Sequence, residues 1–148
     1  MNEILLGFDY GSQKIGVAVG QVGTGSTQGI ATIKNNSSSG PWTKIQNLIN
    51  DWKPAYLIVG IPLTSSGDES QFAKDIRKFA EQLQYRFNLP VNFIDETLTT
   101  DLADAIIRET TKPGKRITKR RQSLRDQIAA EFILQTYINE FNNIAKSR

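Results

Sequence analysis

The sequence predicts an α/β fold, in which a mixed five-stranded sheet of three antiparallel meander strands and two parallel strands carries helices on both faces. Three observations lead to this prediction. Three short strand-like segments, separated by polar turns, open the chain. Helical periodicities then alternate with short apolar segments. No repeat, low-complexity tract or interdomain linker interrupts the 148 residues, so residues 1–148 are predicted to form a single domain.

The meander is predicted from three segments that follow one another closely. Ile4–Tyr10 and Ile15–Gly20 are joined by the polar turn Gly11–Lys14, and the turn Gly23–Thr27 leads to the third segment, Gln28–Ile33. Connections this short join neighbouring antiparallel strands.

The remainder of the chain alternates between helices and strands. Apolar residues at spacings of three and four, such as Ile45, Leu48 and Ile49, predict the first helix. The predicted elements are a helix over Trp42–Trp52, a buried parallel strand over Tyr56–Gly60, a helix over Ser70–Phe87, a strand over Val91–Asp95, a short helix over Thr99–Glu109 and a last helix from about Ser123 to Asn142.

The aromatic residues of these helices are expected in the core. Trp42, Trp52 and the stripe from Phe72 to Phe87 fit the apolar periodicity of their helices, which favours packing over stacking on nucleic-acid bases.

Composition restricts the chemistry. The chain has no cysteine and no histidine, which excludes disulfides, zinc–thiolate sites, cysteine nucleophiles and imidazole bases within the chain. Metal chemistry must therefore use oxygen ligands, which suits Mg²⁺ or Mn²⁺, and no organic cofactor is predicted. The longest apolar stretches, such as Tyr56–Val59, are about one strand long, and the amino terminus lacks a basic region. A cytoplasmic protein with no membrane contact is expected.

Positive charge is concentrated in the segment from Lys112 to Arg125, most of which is predicted to be a loop that leads into the last helix. It contains seven basic residues and no acidic one, although the net charge of the whole chain is only +3. A solvated loop would account for a basic run alone, whereas its position before the helix that bears Asp126 favours a nucleic-acid contact. The basic residues are Lys112, Lys115, Arg116, Lys119, Arg120, Arg121 and Arg125.

Asp9 is the first candidate site residue. It ends an apolar strand, where burial of an unpaired carboxylate would be costly and a bound metal would remove that cost. Gly7 and Gly11 leave room for a ligand or a backbone to approach. A turn-capping role for Asp9 explains the pattern equally well.

Asp95 and Glu96 form the second candidate, at the carboxyl end of the fifth strand, where ligand sites of open α/β sheets lie. Neighbouring strand residues point to opposite faces, so one of the two is expected to be a metal ligand. The residues do not decide which, and a solvent-exposed acidic pair is the alternative.

Asp126 is the third candidate. At helical spacing it shares a stripe with Ala129, Ala130 and Ile133, which should face the sheet. An aspartate in the first turn of a helix would also suit the helix dipole, but that role does not require the buried face. Carboxylates gathered at one sheet end attract a divalent cation, which can activate water against a phosphodiester.

Four ordered motifs then carry a family resemblance. They are Gly7–Gly11 with Lys14–Ala18, Val59–Leu63 with Gly67, Asp95–Thr100, and Asp126–Ala130 with Leu134 and Gln135. With these motifs the chain resembles, nearly end to end, the YqgF/RuvX family of pre-16S rRNA nucleases, also described as Holliday-junction-resolvase-like, with a ribonuclease H-like fold.

The resemblance implies that Asp9, Glu96 and Asp126 carry metal-dependent catalysis, which favours Glu96 over Asp95. It implies processing of the 5′ end of precursor 16S rRNA, with pre-ribosomal particles as partners of a monomer or homodimer. Lys14 matches a position where the family commonly has Arg or Lys. Thr97 stands where the family usually has Arg, and Arg108 or Arg125 could replace that charge.

Three other functions remain open at this point. Junction resolution would apply the same chemistry to four-way DNA, as a dimer. A nucleotide phosphotransferase of the actin and sugar-kinase type shares the Asp-x-Gly turn but encloses nucleotide between two such domains, and one is predicted here. A non-catalytic RNA-binding ribosome-maturation factor would need the basic segment and not the carboxylates.

Overall fold

The computed structural model describes residues 3–62, 69–95 and 119–146. The strands are β1 (Ile4–Asp9), β2 (Lys14–Gln21), β3 (Ser26–Lys34), β4 (Tyr56–Ile61) and β5 (Val91–Asp95). They form one sheet in the order β3-β2-β1-β4-β5. The β1–β2 and β2–β3 pairs are antiparallel, and the β1–β4 and β4–β5 pairs are parallel. The predicted sheet, a meander followed by two parallel strands, is confirmed.

Two helices cover one face of this sheet. They are α1 (Trp42–Trp52) and α2 (Gln71–Phe87). The N-cap residue Ser70 accepts a hydrogen bond from the backbone N–H of Ala73 at 3.1 Å, which fixes the start of α2. Ile45, Ile76 and Phe79 of these helices pack in one core with alternate strand residues such as Phe8.

The third described helix, α3 (Lys119–Lys146), covers the other face. Its buried residues Ala130, Ile133, Leu134 and Ile138 pack in a second core with strand residues such as Leu5. Glycines of the sheet allow this helix to lie close to the strands. A Cβ atom built on any of them would be 3.0 Å or less from an atom of α3; these glycines are Gly7, Gly16, Gly20 and Gly29.

The structure corrects the predicted start of the last helix, because α3 begins at Lys119 rather than Ser123. Lys119, Arg120 and Arg121 therefore belong to a helix and not to a basic loop. Asp126 lies two turns inside α3, so the interpretation as a first-turn aspartate in the helix dipole is wrong. Local periodicity misplaced this boundary because the basic residues at the start of α3 carry no apolar stripe.

The aromatic residues expected in the core lie partly at its rim. Phe79 is buried, Trp42, Trp52 and Phe87 are partly buried against the core, and Phe72 is 41% exposed. The predicted helix Thr99–Glu109 lies outside the described residues, as do Glu96, Thr97, Arg108, Lys112, Lys115 and Arg116. No helix in the described ranges is long and apolar enough to cross a membrane.

Candidate active site

Asp9 is the last residue of β1 and is partly buried. β1 is the middle strand of the sheet, between β2 and β4. Alternation along β1 places Asp9 on the face of Leu5 and Gly7, which is the face that α3 covers. The cross-strand partner of Asp9 is Gly16 of β2.

Asp126 lies directly above Gly16. A Cβ atom built on Gly16 would be 2.0 Å from the carbonyl oxygen of Asp126 and 3.0 Å from its Cβ. Cross-strand Cβ positions are ~4.5–5.5 Å apart, so the Cβ atoms of Asp9 and Asp126 are separated by no more than roughly 8.5 Å. Two of the predicted carboxylates therefore meet on one face, at the end of β1, although they are far apart in sequence.

The environment of Asp126 disfavours its charge. Burial raises the pKa of the Asp126 carboxyl above its ordinary value, while the positive charges of Arg125 and Lys14 act in the opposite direction. A partly desolvated carboxylate beside a second one gains from a nearby cation, since the cation compensates for lost hydration. The electrostatics of Asp126 therefore suit a cation-binding position.

Two lysines of the sheet lie near Asp9 and Asp126. Lys14 is the first residue of β2, and alternation places it on the same face as Gly16. Its cross-strand partner on β3 is Lys34, which is exposed on the same face. The family resemblance predicts a role for Lys14, whereas no pattern in the sequence predicts one for Lys34. The strand register would have been needed to find it, because a single lysine after an apolar strand carries no distinctive pattern.

Asn35 anchors the turn that joins Asp9 to Lys14. Its backbone N–H donates to the carbonyl oxygen of Gln13 at 2.8 Å, and its side-chain Nδ2 donates to the carbonyl oxygen of Gly11 at 2.8 Å. The end of β3 thus holds the β1–β2 turn at two points. The sequence does not predict this role of Asn35, because an asparagine in a loop has no pattern that indicates a contact with a distant turn.

Asp95 lies on the other side of the sheet from Asp9. On β5, Ile94 belongs to the core under α3, whereas Phe93 contacts Arg77 of α2 at 5.3 Å from its ring centroid. Alternation places Asp95 with Phe93, on the α2 face. The structure therefore does not bring Asp95 together with Asp9 and Asp126. Glu96 lies beyond the described residues, and its role stays a prediction.

The donor set fits a hard divalent cation. Asp9 and Asp126 offer carboxylate oxygens on one face, and the chain has no cysteine or histidine that would favour a softer metal. Within the residues that the structure describes, no group of three acidic residues forms a cluster able to hold a metal ion. The remaining coordination positions of such a cation are open to water, to substrate phosphates or to residues outside the described ranges.

The family of this chain follows from its similarity to known proteins. The family model described as RuvX: Holliday junction resolvase matches residues 3–140. The chain belongs to the RuvX family. Two relatives, from Pseudomonas putida and Coxiella burnetii, are named “Putative pre-16S rRNA nuclease”. The first is 42% identical over 135 residues, which cover 91% of this chain and 94% of the relative. The second is 44% identical over 142 residues, which cover 96% of each.

Solved structures show that this RuvX-family chain has a ribonuclease H-like fold of the resolvase type. T. thermophilus RuvC in complex with Holliday junction substrate matches with a TM-score of 0.52 and 15% identity, over 92% of this chain and 93% of RuvC. Fowlpox virus resolvase, in a complex with Holliday junction DNA, matches with a TM-score of 0.56 and 16% identity, over 93% of this chain and 98% of the resolvase. The predicted fold class and the predicted membership of a nuclease family are both confirmed.

Proposed function

We propose that this chain hydrolyses phosphodiester bonds in structured nucleic acid, and that its substrate is precursor 16S rRNA, whose 5′ end it processes during ribosome maturation. The observation that carries the proposal is the convergence of Asp9 and Asp126 above Gly16, with Lys14 on the same face. The names of the relatives support the choice of precursor rRNA.

Asp9 and Asp126 would hold Mg²⁺ or Mn²⁺, together with Glu96, the third ligand proposed from the family motif. When bound, such an ion supplies activation of water and neutralises the charge that develops on the phosphodiester oxygens. Asp9 is suited to binding the ion because β1, the central strand of the sheet, holds it in place. Asp126 is suited to binding the ion because a neighbouring cation stabilises the charged form of its partly desolvated carboxyl.

The cationic residues would bind and orient the phosphates. Lys14 and Arg125 act electrostatically on Asp126, so phosphates at the carboxylates would lie within their reach. The further basic residues predicted to bind nucleic acid are Lys112, Lys115, Arg116, Lys119, Arg120 and Arg121. Contacts to phosphates add affinity without sequence preference, which suits recognition of a folded RNA by its shape.

A second candidate function is cleavage of four-way DNA junctions, since the matching family model carries that description. The same carboxylates would serve both substrates, and a homodimer would suit the two-fold symmetry of a junction. The precursor rRNA substrate, by contrast, implies pre-ribosomal particles as partners and a cytoplasmic location.

The test is cleavage by the purified chain of precursor 16S rRNA and of synthetic four-way junctions, with Mn²⁺ or with EDTA. Asp9→Asn should lower metal-dependent cleavage by roughly a hundredfold or more, because even indirect partners of metal ligands change activity by about 10–100-fold. The matched control is Asp51→Asn, at an exposed position of α1, which should cleave like the unmodified protein.

Four outcomes separate the alternatives. Cleavage of precursor rRNA in preference to junctions supports the first function, and the reverse preference supports the second. Undiminished cleavage by Asp9→Asn refutes the mechanism. Tight RNA binding with no cleavage under any metal condition indicates a non-catalytic maturation factor.

A further inference from the structure

An open groove lies on the face of the sheet opposite Asp126, between the β1–β2 turn, the start of α1 and the exposed side of α2. It has a volume of about 350 Å³, and its walls include Tyr10, Trp42, Lys78, Phe79 and Arg86. Pockets for small organic groups have volumes of ~300–1,000 Å³. The groove is therefore large enough for a group of the size of one nucleotide.

One wall of the groove is aromatic. The ring of Trp42 is stacked on that of Phe79, with centroids 5.7 Å apart and an interplanar angle of 25°. Tyr10 contacts the same phenylalanine at 4.9 Å. Trp42 and Tyr10 are only partly buried against the core, so this cluster combines firm support from Phe79 with aromatic surface that reaches solvent.

The other wall carries positive charge. The guanidinium of Arg86 lies 4.4 Å from the ring centroid of Trp42, and its Nε donates to Oε1 of Gln82 at 3.2 Å. Lys78 lies on α2 with its side chain exposed. Asp75 also lines the groove and accepts a hydrogen bond from Gln71 at 3.1 Å. The lining thus carries a net positive charge beside an aromatic surface.

Such a combination matches the chemistry of an unpaired nucleotide. Bases stack on aromatic side chains whatever their sequence, and lysine and arginine bind the adjoining phosphates. An unmodified protein segment carries no phosphate to pair with a flat aromatic group. A base-paired duplex offers phosphates but keeps its base faces covered, so the groove would discriminate against it.

The position of the groove connects it with the candidate active site. Tyr10 directly follows Asp9 in the chain. Tyr10 packs against Phe79 of α2, whereas Asp9 faces α3, so the two side chains lie on opposite sides of one sheet end. A flexible single strand that passes Asp9 can continue around this end into the groove, which a rigid duplex cannot do.

We propose that the groove binds one unpaired nucleotide of the substrate strand, next to the nucleotides that lie at Asp9. The base takes the place of the Arg86 guanidinium on the face of Trp42 opposite Phe79. The displaced guanidinium and Lys78 then hold the phosphate. The inference rests on the proposed function for its substrate class. It adds that this substrate has a single-stranded flank at the cut site.

The test measures equilibrium binding of a short single-stranded RNA, the same sequence in DNA and the matching blunt duplex, all in EDTA so that no cleavage occurs. Lys78→Ala combined with Arg86→Ala should weaken single-strand binding about tenfold. The slope of the logarithm of the binding constant against the logarithm of the salt concentration should become shallower by about 0.7 for each lost phosphate contact. The matched control is Lys74→Ala, an exposed lysine one turn before Lys78, which should leave both quantities unchanged.

Tryptophan fluorescence gives a second, independent measurement. The chain has two tryptophans, so Trp52→Phe leaves Trp42 as the sole reporter. Its emission should be quenched when single-stranded RNA or DNA saturates the protein, because a stacked base contacts the ring directly. Trp42→Leu should weaken binding by roughly tenfold, and its fold is checked by circular dichroism.

The results have distinct meanings. Equal affinity of the double variant and Lys74→Ala, or unquenched emission from Trp42 at saturation, overturns the inference and leaves the aromatic cluster as core packing. Equal weakening of duplex and single-strand binding also overturns it. Because binding is measured without metal, failure of the cleavage proposal through Asp9→Asn would be seen separately from failure of the groove.

Discussion

The contact between Gly16 and Asp126 makes the position of the active-site helix sensitive to one methyl group. In the Gly16→Ala variant the new Cβ would lie 2.0 Å from the carbonyl oxygen of Asp126, where ordinary contact begins at 3.4 Å. The obstacle is helix backbone and cannot rotate away as a side-chain end would. Helix α3 must therefore move by roughly 1.4 Å at Asp126, or the strand must move by the same amount.

The expected cost follows from this displacement. Overpacking of a close contact destabilises a protein by about 1–3 kcal/mol, and for a chain of this length each kcal/mol lowers Tm by about 2–4 °C. We therefore expect a decrease in Tm of about 2–12 °C for Gly16→Ala. A misplacement near 1 Å at a catalytic group can lower activity by about a hundredfold, so cleavage should fall more than stability alone would explain.

Thermal unfolding followed by circular dichroism, with cleavage assayed well below Tm, separates the two effects. Gly20→Ala is the matched comparison, because the same helix covers it but its new Cβ meets the flexible end of Ile138 at 3.0 Å. That variant should lose less stability and retain most of its cleavage. A Gly16→Ala protein with unchanged Tm and unchanged cleavage would show that α3 does not rest on this glycine, and the site geometry would then be wrong.

Two further predictions concern residues around the same site. Asp126→Asn should have a higher Tm than the unmodified protein at neutral pH in EDTA, because burial raises the pKa of Asp126 and so penalises its ionised form in the folded state. This advantage should shrink as the pH falls through the raised pKa, and an advantage that grows toward acid would contradict the reasoning. Asn35→Ala removes the 2.8 Å hydrogen bond to Gly11 and should cost about 1 kcal/mol in denaturant unfolding, whereas the exposed neighbour Asn36→Ala should cost nothing measurable.

The elements with a strong local pattern could be predicted from the sequence. Helices α1 and α2 and strands β1 and β5 were predicted within a residue of their observed bounds, since apolar periodicity and flanking turn residues act locally. The start of α3 could not be predicted in this way, because the basic residues from Lys119 onward show no apolar stripe. Partial exposure of Phe72 was missed for the opposite reason, since its spacing matches the buried stripe of α2.

Residue types alone established which chemistry is open to this protein. With no cysteine or histidine, only oxygen ligands remain for a metal. The ordered motifs around Asp9 and Asp126 indicate the family by themselves. Only the tertiary structure determines which side chains lie on the same face of the sheet. Whether Asp95 shares a face with Asp9, and whether Lys34 lies beside Lys14, is decided by strand order, register and the position of α3. These are long-range relations, and a one-residue change of register would reverse every face while leaving the local sequence pattern unchanged.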